Sequence, residues 1–144
     1  MRCVVSVALL VLSAGRVFAS GGAWCDVDDD KVELGIQAAL TRASGAPFSV
    51  EGKLVLRDAG APALWKETAF SQPDLAQFWF DGAELRLLLY KENDGEPFSN
   101  LKVEIRATAG DDEESYDGTY AVSVYGADDG ESYELEGSAT CSAE

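Results

Sequence analysis

Apolar and polar residues alternate along most of this chain. From residue 32 to residue 141, segment after segment places an apolar side chain at every second position, which is the period of a β-strand with one buried face. The clearest rows are Val32, Leu34, Ile36, Ala38 and Leu40; Phe48, Val50, Leu54 and Leu56; Leu101, Val103, Ile105 and Ala107; Tyr120, Val122 and Val124; and Tyr133, Leu135, Ala139 and Cys141. This pattern predicts antiparallel sheet with these rows in the core.

Turn signals separate the segments and set the expected number of strands. Stretches rich in Gly, Pro, Asn or Asp occur at 44–47, 58–62, 71–74, 93–97, 110–118 and 127–130. The pair Asp81-Gly82 lies between two apolar runs and favours a two-residue hairpin loop. That loop would place Phe78 opposite Leu85. With a further strand over 63–70, about seven to eight strands are expected, in an all-β fold: a single antiparallel β-barrel or β-sandwich with mostly meander connections.

The first nineteen residues have the order of a signal peptide. A charged start at Arg2 is followed by an apolar run over 4–12, and Val17-Phe18-Ala19 suits a signal peptidase. The apolar run is far shorter than the roughly 20 residues that a membrane-spanning helix needs. We therefore expect residues 1–19 to be removed, leaving one domain over 20–144 that is exported, periplasmic or secreted, and not inserted in a membrane.

Cleavage would remove Cys3 and leave two cysteines at opposite ends of the domain, Cys25 and Cys141. Because exported proteins meet oxidising conditions, a disulfide between them is expected. Eight strands in up-and-down order would make the first and last strands antiparallel neighbours, as this disulfide requires, which favours a barrel. A Greek-key sandwich can also bring its ends together, so both architectures stay open.

Composition and charge exclude several classes of function. The chain has no His, which removes Ser-His-Asp and Cys-His nucleophiles and most zinc sites. Its formal net charge is −15, and loss of Arg2 and Arg16 with the signal peptide would make it −17. A charge this negative repels phosphate backbones, so no nucleic-acid partner is expected. Nearly all carboxylates fall in turns or on outward strand positions, which argues against catalysis by paired acids.

Alternate carboxylates near the start of the domain resemble the beginning of a calcium loop. They are Asp26, Asp28 and Asp30. An EF-hand loop would then need Gly and Glu where this chain has Lys31 and Gln37. A looser Ca²⁺ site with help from the acidic residues of 111–117 is one hypothesis. The other is a solvated acidic rim that keeps the protein soluble.

Three further features are candidates for binding. The aromatic residues Trp65, Trp79 and Tyr90 could form a stacking platform for a sugar or an apolar peptide, or could be core residues. Ser44 lies in a predicted hairpin loop, Ser44-Gly45-Ala46, of the kind that inhibitors insert into the active sites of basic enzymes such as lysozymes. Gly52 and Gly137 interrupt bulky inward rows, which indicates either room for a small ligand inside the barrel or bends in the strands.

These observations favour an exported, non-catalytic binding or protein-interaction module. The strongly negative charge suits a cationic partner, and an inhibitor-type role is one form of this hypothesis. The alternative is a β-barrel domain that binds calcium or another small ligand.

Overall fold

The computed structural model describes residues 21–41, 46–112, 114–126, 130 and 132–144, and they form an all-β domain. Its strands are β1 (Gly21–Asp28), β2 (Val32–Leu40), β3 (Pro47–Leu56), β4 (Glu67–Ser71), β5 (Leu75–Phe80), β6 (Glu84–Asn93), β7 (Ser99–Ala109), β8 (Ser115–Tyr125) and β9 (Tyr133–Ala143). Two 3₁₀ turns, Ala63–Trp65 and Gln72–Asp74, flank β4. The proposed signal peptide lies outside the described residues.

All nine strands belong to one sheet, in the order β4-β3-β2-β1-β9-β8-β7-β6-β5. Each neighbouring pair is antiparallel, and apart from the pairing of β1 with β9 the neighbours follow one another in sequence. The sheet curls into a nearly closed barrel, so the all-β meander fold predicted from the sequence is confirmed. The extra strand is β1, which the pattern did not reveal because it opens with the small residues Gly21-Gly22-Ala23.

The short strands β4 and β5 together occupy the place of one strand in the barrel. Following the antiparallel pairs around the sheet shows that β4 and β5 run in the same direction, although only the turn Gln72–Asp74 separates them. Ser71 caps this turn by donating its backbone N–H and its hydroxyl to Asp74 Oδ2, at 2.8 and 3.2 Å. The chain thereby changes partners, from β3 to β6. Eight strand positions therefore surround the core.

Lys91 spans the gap between the two ends of the sheet. It extends from β6 and donates its Nζ to the backbone oxygen of Ala69 in β4, at 2.9 Å. The same ammonium lies 3.4 Å from Asp74 Oδ2. Beside β4, the gap between the two ends of the sheet is thus bridged by a side chain instead of a backbone ladder.

The inward rows fill the barrel, and the disulfide lies among them. Cys25 and Cys141 are directly opposite each other in the β1–β9 ladder, with an S–S distance of 2.02 Å, and each is 2% exposed. The expected disulfide is confirmed, and it joins the first and last strands of the domain.

The absence of a side chain at Gly137 leaves room for the ring of Tyr120. A Cβ atom built there would lie 2.6 Å from the ring of Tyr120, which is directly opposite in β8. The Tyr120 hydroxyl donates to Asp29 Oδ2 at 2.7 Å, and this fixes the ring across the interior. The room that the sequence indicated at Gly137 is therefore occupied by the chain's own side chain.

Replacing Tyr120 by Phe should change how stability depends on pH. Burial, followed by the hydrogen bond to Asp29 and its negative charge, raises the pKa of Tyr120 well above its ordinary value of 10.0. The folded protein then keeps the phenolic proton where the unfolded chain loses it, so stability is complete below pH 10 and falls as the pH rises above it. Tyr120→Phe should cost about 1 to 2 kcal/mol near neutral pH.

Thermal melts between neutral pH and about pH 12 measure this effect. Tyr120→Phe should lose stability less steeply on the alkaline side than wild type. Tyr133, whose pKa is raised to about 12 by burial and by Asp58, contributes to the slope that remains, together with Tyr116 and Tyr90, whose pKa values are also raised. The exposed Tyr125 supplies a control, Tyr125→Phe. An equally steep loss of stability with pH in Tyr120→Phe and in wild type would show that the buried hydroxyl is not the source.

Two details predicted from the sequence are wrong. Phe48 is 57% exposed instead of buried, because the pairing of β2 with β3 shifts between Ala39 and Leu40 and leaves Phe48 opposite no residue. The segment 63–70 is strand only from Glu67 onward, after the 3₁₀ turn.

The register of the β5–β6 hairpin also differs from the prediction. Phe78 pairs with Leu87, two residues beyond the expected partner. The Asp81 carboxylate accepts the backbone N–H groups of Ala83 and Glu84, at 2.9 and 2.8 Å, which keeps Asp81 at the corner. The turn is therefore centred on Gly82-Ala83, with Gly82 at φ +87°. A shift of two residues keeps the same side chains on the same face.

Candidate functional site

The charges on the outside of the barrel are sorted by strand. The adjacent strands β8, β9 and β1 contain neither Lys nor Arg. Their outward positions and the β7–β8 loop carry exposed carboxylates, and we call six of them the acidic face. They are Asp26, Asp112, Glu114, Asp117, Glu134 and Glu136. Within the described ranges, none of the six forms a salt bridge with Lys or Arg.

The strand register places two of these carboxylates in one row. Asp26 and Asp117 both pair with Thr140, one from each side, so they lie in the same cross-strand row. Asp26 also shares an open hollow of about 710 Å³ with Asp112 and Glu114. The residues that line this hollow include no Lys or Arg, so its carboxylates present their negative charge to solvent. At the other end of the acidic face, Glu134 and Glu136 share a hollow with Lys102 of β7.

The carboxylates of the β1–β2 turn are used to hold the turn. Asp29 Oδ1 accepts the backbone N–H groups of Lys31 and Val32, at 2.8 and 2.7 Å. Partial burial of Asp29 acts to raise its pKa. Hydrogen bonds from Tyr120 and from these two amides outweigh burial, so the pKa of Asp29 is lowered. Asp28 is bound by Arg57 at 2.7 Å. The pKa of Arg57 is raised by its hydrogen bonds to Asp28 and Glu33.

The three carboxylates of the calcium hypothesis do not converge. Asp26 faces the hollow of the acidic face, Asp28 is paired with Arg57, and Asp30 lies in the turn. Across the residues that the structure describes, no group of three or more His, Cys, Asp or Glu side chains is placed to hold a metal ion. Asp26 is thus the one of the three that lies beside other unpaired carboxylates.

The three aromatic candidates lie in two different places. Trp65 is 4% exposed and donates its Nε1–H to Ser99 Oγ at 3.2 Å, so it is a core residue beside the first residue of β7. Trp79 and Tyr90 are 56% and 37% exposed and project outward from β5 and β6. Leu88 lies between them on the same face. An exposed platform can therefore include Trp79 and Tyr90 but not Trp65.

A second charged surface lies beside Trp79. Trp79 pairs with Arg86, and Arg86 pairs with Arg106, so the three form one row across β5, β6 and β7. Lys102 and Glu104 project from β7 on the same side, and the row borders an open groove of about 600 Å³. We call this groove, with Trp79, Arg86, Arg106 and Lys102 in its lining, the basic groove. Sequence reasoning missed it, because the hairpin register that places Trp79 beside Arg86 was predicted two residues out.

Ser44, the remaining candidate, lies outside the described residues. The carboxyl pKa values that shift clearly, those of Asp29 and Asp81, are both lowered. For Asp81 the main cause is the pair of backbone hydrogen bonds from Glu84 and Ala83. A general acid working near neutral pH needs a raised pKa instead.

No helix in the described part of the chain is long and apolar enough to cross a membrane. No protein-family model matches the sequence, and neither a curated protein nor a solved structure matches it.

Proposed function

We propose that this chain is an exported, non-catalytic binding module whose acidic face engages a cationic protein surface. The observation that carries the proposal is the acidic face itself: six exposed carboxylates without a salt bridge to Lys or Arg in the described structure. Four of them lie on adjacent strands that lack Lys and Arg, and two lie in the loop between β7 and β8. Export is supported by the disulfide, which suits an oxidising compartment, and by the signal-peptide pattern of residues 1–19.

The electrostatics favour a partner with many Lys and Arg side chains. Carboxylates held close together repel one another in the free protein, and a bound cationic surface relieves that repulsion. The formal net charge of −15 adds long-range attraction, which speeds the encounter and weakens as salt rises. A basic enzyme is a partner of this kind, and an inhibitor-type role through the loop of Ser44 remains part of the proposal.

A titration with lysozyme as the basic probe tests the proposal. Binding to the disulfide-bonded protein should be tight in low salt and weaken steadily as ionic strength passes about 0.15 M, where the Debye length is about 8 Å. Backbone amide shifts in NMR should concentrate on β8, β9 and β1. An acidic protein of similar size is the control and should not bind. Shifts concentrated on β4, β5 and β6, away from both the acidic face and the loop of Ser44, would contradict the proposal.

Calcium-dependent binding is the alternative. The hollow that Asp26, Asp112 and Glu114 line is where we would look for it, although these three side chains do not form a ready-made metal site. A bound ion would stabilise the folded state by mass action, so millimolar Ca²⁺ should raise the melting temperature and a chelator should reverse the rise. Asp26→Asn should abolish that response, with Asp94→Asn as the control. A melting temperature that does not change with Ca²⁺ would remove the alternative.

A further inference from the structure

We propose that the basic groove binds a small organic anion built on a ring, an acidic saccharide such as an oligomer of a uronic acid. This site borders the acidic face at Lys102, which shares a hollow with Glu134 and Glu136, and it takes a ligand of opposite charge to the partner of that face. It rests on the row Trp79, Arg86 and Arg106, on Lys102 beside that row, and on the hollow they border.

The two arginines of the groove face each other across the ladder. Arg86 and Arg106 are direct partners in β6 and β7, and like charges in directly opposite positions are destabilising. Each is balanced from its own strand, Arg86 by Glu84 and Arg106 by Glu104. Among the side chains that line the groove, Arg86, Arg106 and Lys102 are cations and Glu104 is a carboxylate, so the lining is positive on a chain whose net charge is −15.

The groove already accommodates a carboxylate. Glu104 Oε1 accepts Arg106 Nε at 2.7 Å, and Glu104 Oε2 lies 4.0 Å from Lys102 Nζ. A guanidinium has five N–H donors, and Glu84 and Glu104 use only part of those on Arg86 and Arg106. The side chains of Arg86 and Arg106 are 56% and 68% exposed, so their remaining donors can reach a ligand. A ligand carboxylate between them would form charge-assisted hydrogen bonds to both.

The side chain of Trp79 selects a ring in preference to a simple ion. It lies at one end of the arginine row, is 56% exposed, and has the half-buried Leu88 beside it. The flat face of an indole packs on another ring and contributes little to binding an inorganic ion or a flexible acidic peptide. A hollow of about 600 Å³ suits one or two sugar rings.

Digalacturonate is the probe for the test, and cellobiose is its uncharged counterpart. The indole N–H signals in the proton–nitrogen spectrum report on the tryptophans, and Trp79→Phe identifies the signal of Trp79. Digalacturonate should bind saturably and shift the Trp79 signal, whereas cellobiose and inorganic sulfate at about 10 mM should leave it in place. The buried Trp65 signal should not move.

Two charge-matched variants locate the site. Arg86→Gln/Arg106→Gln should weaken digalacturonate binding by at least about tenfold, since two charge-assisted hydrogen bonds are lost. The control Lys53→Gln/Lys66→Gln removes the same charge from exposed positions elsewhere and should change the affinity by less than about twofold. Trp79→Ala should weaken binding without lowering the melting temperature.

Three results would overturn the proposal. One is the absence of saturable binding of digalacturonate. Another is an equal loss of affinity in the two charge-matched variants. The third is binding of pentaglutamate as tight as that of digalacturonate and insensitive to Trp79→Ala, because the groove would then be a site for acidic peptides.

Discussion

Cys25→Ala/Cys141→Ala should lower the free energy of unfolding by about 4 to 5 kcal/mol. The disulfide joins residues 116 positions apart, and closing so long a loop removes much of the conformational entropy of the unfolded chain. For a domain of this size the loss corresponds to a fall in melting temperature of roughly 15 to 20 °C. The effect should be large because the β1–β9 ladder has only four residue pairs, from Ala23 to Asp26.

Denaturant unfolding with and without reductant measures this effect. Reduced wild type should be destabilised to nearly the same extent as the double alanine variant, and reductant should not change the variant further. The second comparison separates the loss of the cross-link from other effects of the reductant. A difference below about 1 kcal/mol between oxidised wild type and the variant would show that the β1–β9 ladder holds without its disulfide.

Gly118→Ala should destabilise the barrel by about 3 kcal/mol or more, a size that marks a steric conflict in a packed region. Gly118 pairs with Ala107 in the β7–β8 ladder. A Cβ atom at this position would lie 1.9 Å from the backbone oxygen of Arg106 and 2.5 Å from Ala107 Cα. These are backbone atoms of a central strand, so they can retreat only if the ladder opens. Glycine is therefore required here for close approach of two strands.

Gly35→Ala is the matched control for this substitution. Gly35 also lies in a strand interior, but the nearest atom to its added Cβ is Asp26 Oδ1 at 3.7 Å, an ordinary contact. Alanine loses less backbone entropy than glycine on folding, so this variant should be as stable as wild type or more stable by up to about 1 kcal/mol. Equal melting temperatures for the two variants would contradict the close approach at Gly118.

Much of the fold could be predicted because one buried face leaves a two-residue period in the sequence. Most inward rows, the all-β class and the disulfide follow from that period and from the two cysteines of the domain. The broken position β4–β5 could not be predicted, because Ser71 to Asp74 has the composition of an ordinary turn between two full strands. Only tertiary pairing shows that the chain continues in the same direction there.

The acidity of the chain was visible in its composition, but the sorting of charge was not. The acidic face combines β1, from the start of the domain, with β8 and β9 from its end, and only the closure of the barrel makes them neighbours. The basic groove depends in the same way on the register of β5, β6 and β7. An error of two residues in one hairpin hides the row of Trp79, Arg86 and Arg106.

The placement of charge can be tested separately from its amount. In one variant the acidic face is neutralised by Asp26→Asn, Asp117→Asn, Glu134→Gln and Glu136→Gln. In the matched variant the same number of exposed carboxylates is neutralised elsewhere, by Glu51→Gln, Glu67→Gln, Asp94→Asn and Glu96→Gln. The two proteins have the same net charge, so any difference between them depends on position.

The affinity of both variants for lysozyme, measured at one ionic strength, is the most direct test of the acidic face as the binding surface. The first variant should bind at least about tenfold more weakly than wild type, and the matched variant should lose less than about threefold. Equal losses in the two variants would contradict the acidic face, because the attraction would then depend only on net charge.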